Sequence, residues 1–441
     1  MRNALLALLL PLLACTDKPV DSSDDTASDA DTDTDTDADS DADTDSDTDT
    51  DAVAPPCAGG TWGDIDSAQV DGAIHVWAGA DSGGDGSGAH PFQTLDDALT
   101  ASRQKGASRL IAVWPGTTYS SFLDLSSAQG DDGLAIQGCS AAEVTIEAVG
   151  TTSPVIKVSE ASGVDLRGLT LSGGKRGLWV WQGATVTLTD IEAIGNRNVG
   201  IIIDGVATTA AFSHVVVTDP LVNGDAGGFG IQVQNALVAM DDVEVTGATE
   251  DGIVVTGMDA SATMNDVRVT GTSVDVNGEF GRGIMVQERA SVSIQFATLS
   301  GNADAGLFGL GASVVELADV TVSDTLGAKL PGSEDTSGDG IVVSDDPANG
   351  PYQTDAFTGS ADRVTIDGYE RAGVLLSGSG LAFTTLSPFI ISGHTGAVDD
   401  PGAGEPVVQS EATLVSDDAY VTLDVAVPFT PDPAPTDALE P

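Results

Sequence analysis

The chain has 441 residues, with 68 acidic against 16 basic side chains and a formal net charge of −52. So acidic a balance argues against nucleic acid and anionic membrane surfaces as electrostatic partners, and suits a strongly solvated surface. Three cysteines are too few for a disulfide-dense scaffold, no CxxC occurs, and the four histidines lie far apart, which argues against a zinc site.

Met1-Arg2-Asn3 is a short positive leader, and Ala4–Leu13 is an apolar run too short to span a bilayer. It ends in Leu12-Leu13-Ala14-Cys15, which resembles a bacterial lipobox. The resemblance implies a signal peptide over 1–14, lipidation of Cys15 and a membrane held by the lipid anchor. With Thr16 rather than Asp after the cysteine, it implies the outer membrane. No second apolar run is long enough for a transmembrane helix.

Residues 21–51 carry 15 Asp, mostly alternating with Thr, Ser and Ala, and no cation. Such a segment buries too little apolar area to offset its ordering entropy, so 15–56 is expected to be a disordered tether. The run DTDTDTD also has the look of an acidic Ca²⁺ loop, but lacks the turn Gly and closing Glu of one. Cys57 and Cys139 remain after lipidation; export permits a disulfide between them.

The segment 57–109 reads as a lead-in to the folded part. Leu95, Ala98 and Leu99 share one face of a helix predicted over Thr94–Gln104, with Asp96 and Asp97 in its first turn. The glycines before it (Gly83, Gly84, Gly86, Gly88) have no Lys-Ser/Thr after them, so a loop is favoured over a phosphate cradle.

From 110 to 428 the chain repeats itself. GIVVTGMDASATMNDVRVTG, from Gly252, divides into three short segments of period-2 alternation separated by turn residues, which is the pattern of strands. The cassette recurs with opening glycines at 177, 200, 230, 252, 283, 306, 340, 373 and 396, the shorter intervals being 22 or 23 residues. That period marks a solenoid whose coils add about 4.8 Å each. Ile201, Ile231, Ile253, Ile284, Leu307, Ile341 and Val374 then stack as one inward ladder. The extra residues of the long intervals are inserts at Pro220–Phe229, Thr272–Arg282 and Thr325–Asp339, with a fourth, Asp345–Ser360, at another corner. Val421, Leu423, Val425 and Val427 read as a last strand, and 429–441 as a proline-rich tail.

These cassettes, with DSGGDGSGAHPF, TLDDALTAS and LIAVWPGTTY upstream, resemble right-handed parallel β-helix proteins of the pectate-lyase-like superfamily. The resemblance covers about Ile74 to Val427 and implies an all-β, three-sheet solenoid of roughly ten coils, capped by one short helix. It carries the fold; relatives of this fold include pectate lyases and polygalacturonases.

Three groups of residues are candidates for function. Asp190, His214, Asp242, Asp266 and Asp319 recur before the third strand, either as turn residues bonding local backbone or as stacked Ca²⁺ ligands. A lyase would draw on Arg282, Arg289 and Glu279 around one first-sheet strand; Gly393-His394-Thr395 is a faint echo of a hydrolase motif. The third group is an outward stripe on the first sheet holding Trp179, Met285 and Phe308, with Trp181 in the next column. An apolar stripe on a solvent face is either covered by the inserts or binds a ligand. In GLWVWQG both indoles face outward, about 6.5 Å apart along the strand. The function read from the sequence is therefore non-catalytic binding of a glycan or another envelope component at Trp179, Trp181, Met285 and Phe308, with no required cofactor. An anchored polysaccharide lyase or hydrolase acting on an acidic polysaccharide, and a structural or adhesive rod, are the alternatives.

Overall fold

The computed structural model describes Cys57, Val70, most of 72–392 and the strands Glu405–Ser410 and Thr413–Ser416. Within 72–392 it leaves out 105, 117, 151, 225, 312–313, 329–336, 345–356 and 378–380. The leader, Cys15, the Asp-rich segment, His394 and 417–441, including the strand expected around Val421, lie outside the described residues.

The helix covers Leu95–Ser102, with Thr94 as its N-cap: Thr94 Oγ1 accepts the N–H of Asp97 at 3.1 Å. It buries Leu95, Ala98 and Leu99 in the same core as Ile74, Val76, Ile111 and Val113 of the first two strands. Arg103, just past its end, donates twice to the carboxylate of buried Asp131, at 3.0 and 2.9 Å. Cys57 and Cys139 form a disulfide with Cα atoms 5.6 Å apart. Among the described residues no helix is long and apolar enough to cross a membrane.

Two parallel sheets make the solenoid. The first face is an 11-stranded sheet running from Leu123–Ser126 to Glu405–Ser410. In it Ile201, Ile231, Ile253, Ile284, Leu307, Ile341 and Val374 pair in register, each at most 1% exposed. Full burial of such side chains is worth about 1.5–3 kcal/mol each. The opening glycines follow from the same stacking. A Cβ on Gly252 would lie 2.3 Å from Val269 Cγ1 and 2.6 Å from Gly283 O of the next coil. Glu405–Ser410 pairs with Ala372–Ser377 through Ala372↔Glu405 and Val374↔Val407, so the opening position of that last coil falls on Pro406, not Gly396. A proline is tolerated at the start of a strand.

The second and third faces share one sheet, because the seven long strands from Thr185–Ile194 to Thr358–Asp367 each bend at a single left-handed residue instead of breaking. These residues are Asp190, His214, Asp242, Asp266, Phe296, Asp319 and Arg363, with φ from 50° to 56°. The ladder passes over them: Thr189 pairs with Ser213 and Ile191 with Val215, leaving Asp190 and His214 out. Leu188 and Ile191, three apart rather than two, both point into the core. The recurring Asp is thus selected by backbone conformation, which Asp tolerates better than most residues. Its side chain pairs across coils: Arg363 donates to Asp319 at 2.7 and 2.8 Å, and His214 Nδ1 lies 2.9 Å from Asp242 Oδ2. The hydrogen bond to Asp242 holds the His214 imidazole proton above the ordinary range. Asn302, at the turn before the first-sheet strand Ala305–Leu310, is buried, and its Oδ1 accepts the N–H of Thr272 on the preceding coil.

Three inserts leave at the corner before the first face. The first contains a small hairpin, Val222–Asn223 against Ala226–Gly227. Of the fourth insert, 358–360 already belong to the strand Thr358–Asp367.

Candidate functional site

The strand Arg176–Trp181 obeys the alternation: Leu178 and Val180 are fully buried, and Trp179 and Trp181 point outward and are half-buried. The rings do not stand apart at the strand's two-residue spacing. They lean together, with centroids 4.6 Å apart and planes 31° apart, as one compound aromatic surface.

Charged groups border it. Lys157 pairs in register with Trp179, and its Nζ lies 5.9 Å from the Trp179 ring centre and 5.4 Å from that of Trp181. Asp124, one strand further back, holds that ammonium at 3.5 Å. The Arg176 guanidinium is 4.6 Å from the Trp179 ring centre. On the other side Asp204 pairs in register with Trp181. Burial pushes the Asp204 carboxyl up and Arg176 partly offsets this. Gln232 and Gln234 continue the two columns. The indole N–H groups and Gln232 Oε1 are buried with no hydrogen-bond partner among the described residues. Buried polar atoms are normally satisfied, so these mark a place where water or a ligand is expected.

The rest of the outward stripe is not an open face. Met285 is 0% and Phe308 3% exposed, in a second apolar cluster outside the first sheet with Ile202, Phe229, Val254 and Val342. Both lie under Arg282, whose guanidinium is 4.0 Å from the Phe308 ring centre and whose Nη1 is 3.6 Å from Met285 Sδ. In place of a four-residue binding face, the structure offers Trp179 and Trp181.

The residues proposed for a lyase do not converge. Arg282 is 1% exposed and its Nε donates to Asp304 at 2.9 Å, a buried ion pair. Arg289 sits in the left-handed turn past the far end of the strand Arg282–Gln287, about 20 Å away at 3.3 Å per residue. Glu279 belongs to the second insert, where its N–H donates to Asp275 Oδ1. Among the described residues no three His, Cys, Asp or Glu side chains come together to hold a metal. The glycine loop lines an open depression of about 330 Å³ with Asp81, Asp85 and His90, and two acids there do not make an anion cradle.

Two residues at the site, Lys157 and Arg176, carry no signal of it in the sequence. Lys157 lies in the irregular early coils, and Arg176 precedes an opening glycine, outside the alternation.

No family model matches the chain, and no curated protein matches it in sequence. Among solved structures, a variant catalytic domain of a GH87 α-1,3-glucanase in complex with tetrasaccharides superposes with a TM-score of 0.54 at 14% identity, covering 83% of this chain and 68% of that one. The fold is a right-handed parallel β-helix. The A-module of a mannuronan C-5 epimerase from Azotobacter vinelandii is also similar, with a TM-score of 0.45 at 14% identity, covering 74% of this chain and 95% of that one. At such identities the likeness concerns the β-helix alone, and the site rests on this chain's own residues.

Proposed function

We propose that this β-helix binds a glycan on the Trp179–Trp181 surface without turning it over, held at a membrane by a lipid on Cys15. The observation that carries the reading is the half-exposed indole pair, bordered by Lys157, Arg176 and Asp204 and with its N–H groups unpaired. Indole faces stack on the C–H faces of sugar rings, and hydroxyls are the natural partners of orphaned N–H and amide groups. The tetrasaccharides bound to the similar glucanase support carbohydrate as the ligand class.

Asp124, Glu160 and Asp204 are acids bordering the platform: Asp124 lies 3.5 Å from Lys157 Nζ, the N–H of Glu160 donates to Trp181 O, and Asp204 pairs in register with Trp181. A turnover assay therefore decides between binding and hydrolysis.

Screening the protein against a glycan array, with a reducing-end and unsaturated-product assay on each hit, tests this. Binding without turnover is expected, and product formation would establish an enzyme instead. Trp179→Ala with Trp181→Ala should weaken binding at least about 30-fold, the scale of one interface hot spot of about 2 kcal/mol. Stability should fall by less than about 2 kcal/mol. A loss of about 3–5 kcal/mol, as for buried tryptophans, or undiminished binding, would reduce the indoles to packing residues.

The anchor rests on Leu12-Leu13-Ala14-Cys15 after the apolar run. Cys15→Ser is expected to move the protein from the membrane fraction to the soluble one; retention in the membrane fraction would refute the lipid assignment.

A further inference from the structure

Glu250 occupies the place where two inserts meet. It is 3% exposed and immediately precedes the strand Asp251–Thr256. Its Oε1 accepts the N–H of Gly227, at the end of the hairpin in the first insert, at 3.2 Å. Its backbone engages the second insert: its N–H donates to Ser273 O at 2.9 Å, and its carbonyl accepts from the N–H groups of Gly281 and Arg282, both at 2.8 Å. One residue therefore fastens the insert before its strand to the insert after it.

The charges around its carboxyl are unbalanced. Asp251 follows it as the first residue of the strand, Asp275 faces it from the second insert, and Arg282 is the cation beside it. Arg282 already gives its Nε to Asp304, and the hairpin contributes one N–H, from Gly227. Burial foremost, then Asp251 and Asp275, outweigh the help from Gly227 and Arg282 and push the Glu250 carboxyl from its ordinary 4.5 up to about 8. Burial in the closed arrangement therefore favours the protonated form of Glu250.

We propose that Glu250 is a proton-operated latch, fastening the inserts 222–227 and 272–281 when neutral and releasing them when ionised. What release loosens is the edge of the outer apolar cluster, since Phe229 follows the first insert and Arg282, lying over Phe308 and Met285, ends the second. The closed form binds the proton more tightly than the open one, so closure is fully favoured below about 4.5 and is lost progressively up to about 8. Opening then grows by at most about tenfold per pH unit across that window and levels off above it. Trp179 packs against the same cluster, but amide exchange at the inserts reads the latch directly, so its outcome is separate from that of glycan binding.

The test is amide hydrogen exchange of Gly227, Gly281 and Arg282 between pH 5 and 9.5, with the intrinsic pH dependence of exchange divided out. In the wild-type chain the protection factors should fall between pH 5 and about 8 and then stay level. In Glu250→Gln, which keeps an acceptor for Gly227 but does not ionise, they should be flat with pH. A flat wild-type profile, or an unchanged fall in Glu250→Gln, overturns the latch. Should Glu250→Gln not fold, Asp275→Asn serves: with one opposing carboxylate gone, the fall should reach its plateau at lower pH, and an unmoved plateau overturns the proposal.

Discussion

Gly252→Ala is expected to cost more than about 3 kcal/mol, although it adds a single methyl group to a small residue. The new Cβ would lie 2.3 Å from Val269 Cγ1 and 2.6 Å from the carbonyl oxygen of Gly283. The second contact is backbone, so no rotamer change relieves it. Separating the two coils to make room would weaken the parallel ladder in which Ile253 pairs with Ile284. The control is Gly183→Asn. Gly183 has φ +78° and nothing within 4 Å of an added Cβ, and Asn accepts that backbone region at small cost. Urea unfolding of the two variants reads the difference. A Gly252→Ala protein within about 1 kcal/mol of wild type would mean that the coils yield, and that the opening glycines answer to something other than close approach.

Asp339→Ala should cost about 3–5 kcal/mol, the usual penalty for leaving one partner of a buried ion pair uncompensated. Asp339 is 0% exposed; it accepts from Arg371 Nε at 3.0 Å, from Arg371 Nη2, and from the N–H of Ala372 at 3.0 Å. Burial raises its carboxyl above the ordinary range, Arg371 opposes that shift, and Asp304 adds to it. The pair therefore sits in a costly environment and is worth most as a matched set. The double change Asp339→Leu with Arg371→Met should recover most of the stability, because volume-matched apolar residues carry no desolvation penalty. If the double variant were as unstable as Asp339→Ala, the loss would lie in the Ala372 hydrogen bond and local packing. A stable single variant would show that water reaches Arg371.

Much of this architecture is written into the chain locally. A strand's two-residue alternation decides which side chains face the core whatever surrounds it, so Ile201, Ile231 and Ile253 are readable as a ladder from spacing alone. The opening glycines are equally legible, because at positions such as Gly252 the close approach of neighbouring coils leaves no room for a Cβ. The left-handed corner is half legible: Asp at 190, 242, 266 and 319 reveals the position, but Phe296 and Arg363 occupy it too, held there by the coils on either side. Gly396 does not open the last coil, because Pro406 fills that position in the strand Glu405–Ser410.

The site is where local reasoning stops. Alternation correctly sends Trp179, Met285 and Phe308 to the outer face of the first sheet. Whether an outward residue then meets water depends on which segments return over it, and a strand's own pattern carries no record of that. Met285 and Phe308 lie in an outer apolar cluster against a guanidinium, that of Arg282, which is itself buried, while Trp179 and Trp181, ahead of the long inserts, are only half-buried. In the same way, Glu250 and Asp339 are ordinary acids in the sequence. Only the stacking of coils and inserts removes them from water, and that removal, not their identity, sets their protonation and their contribution to stability.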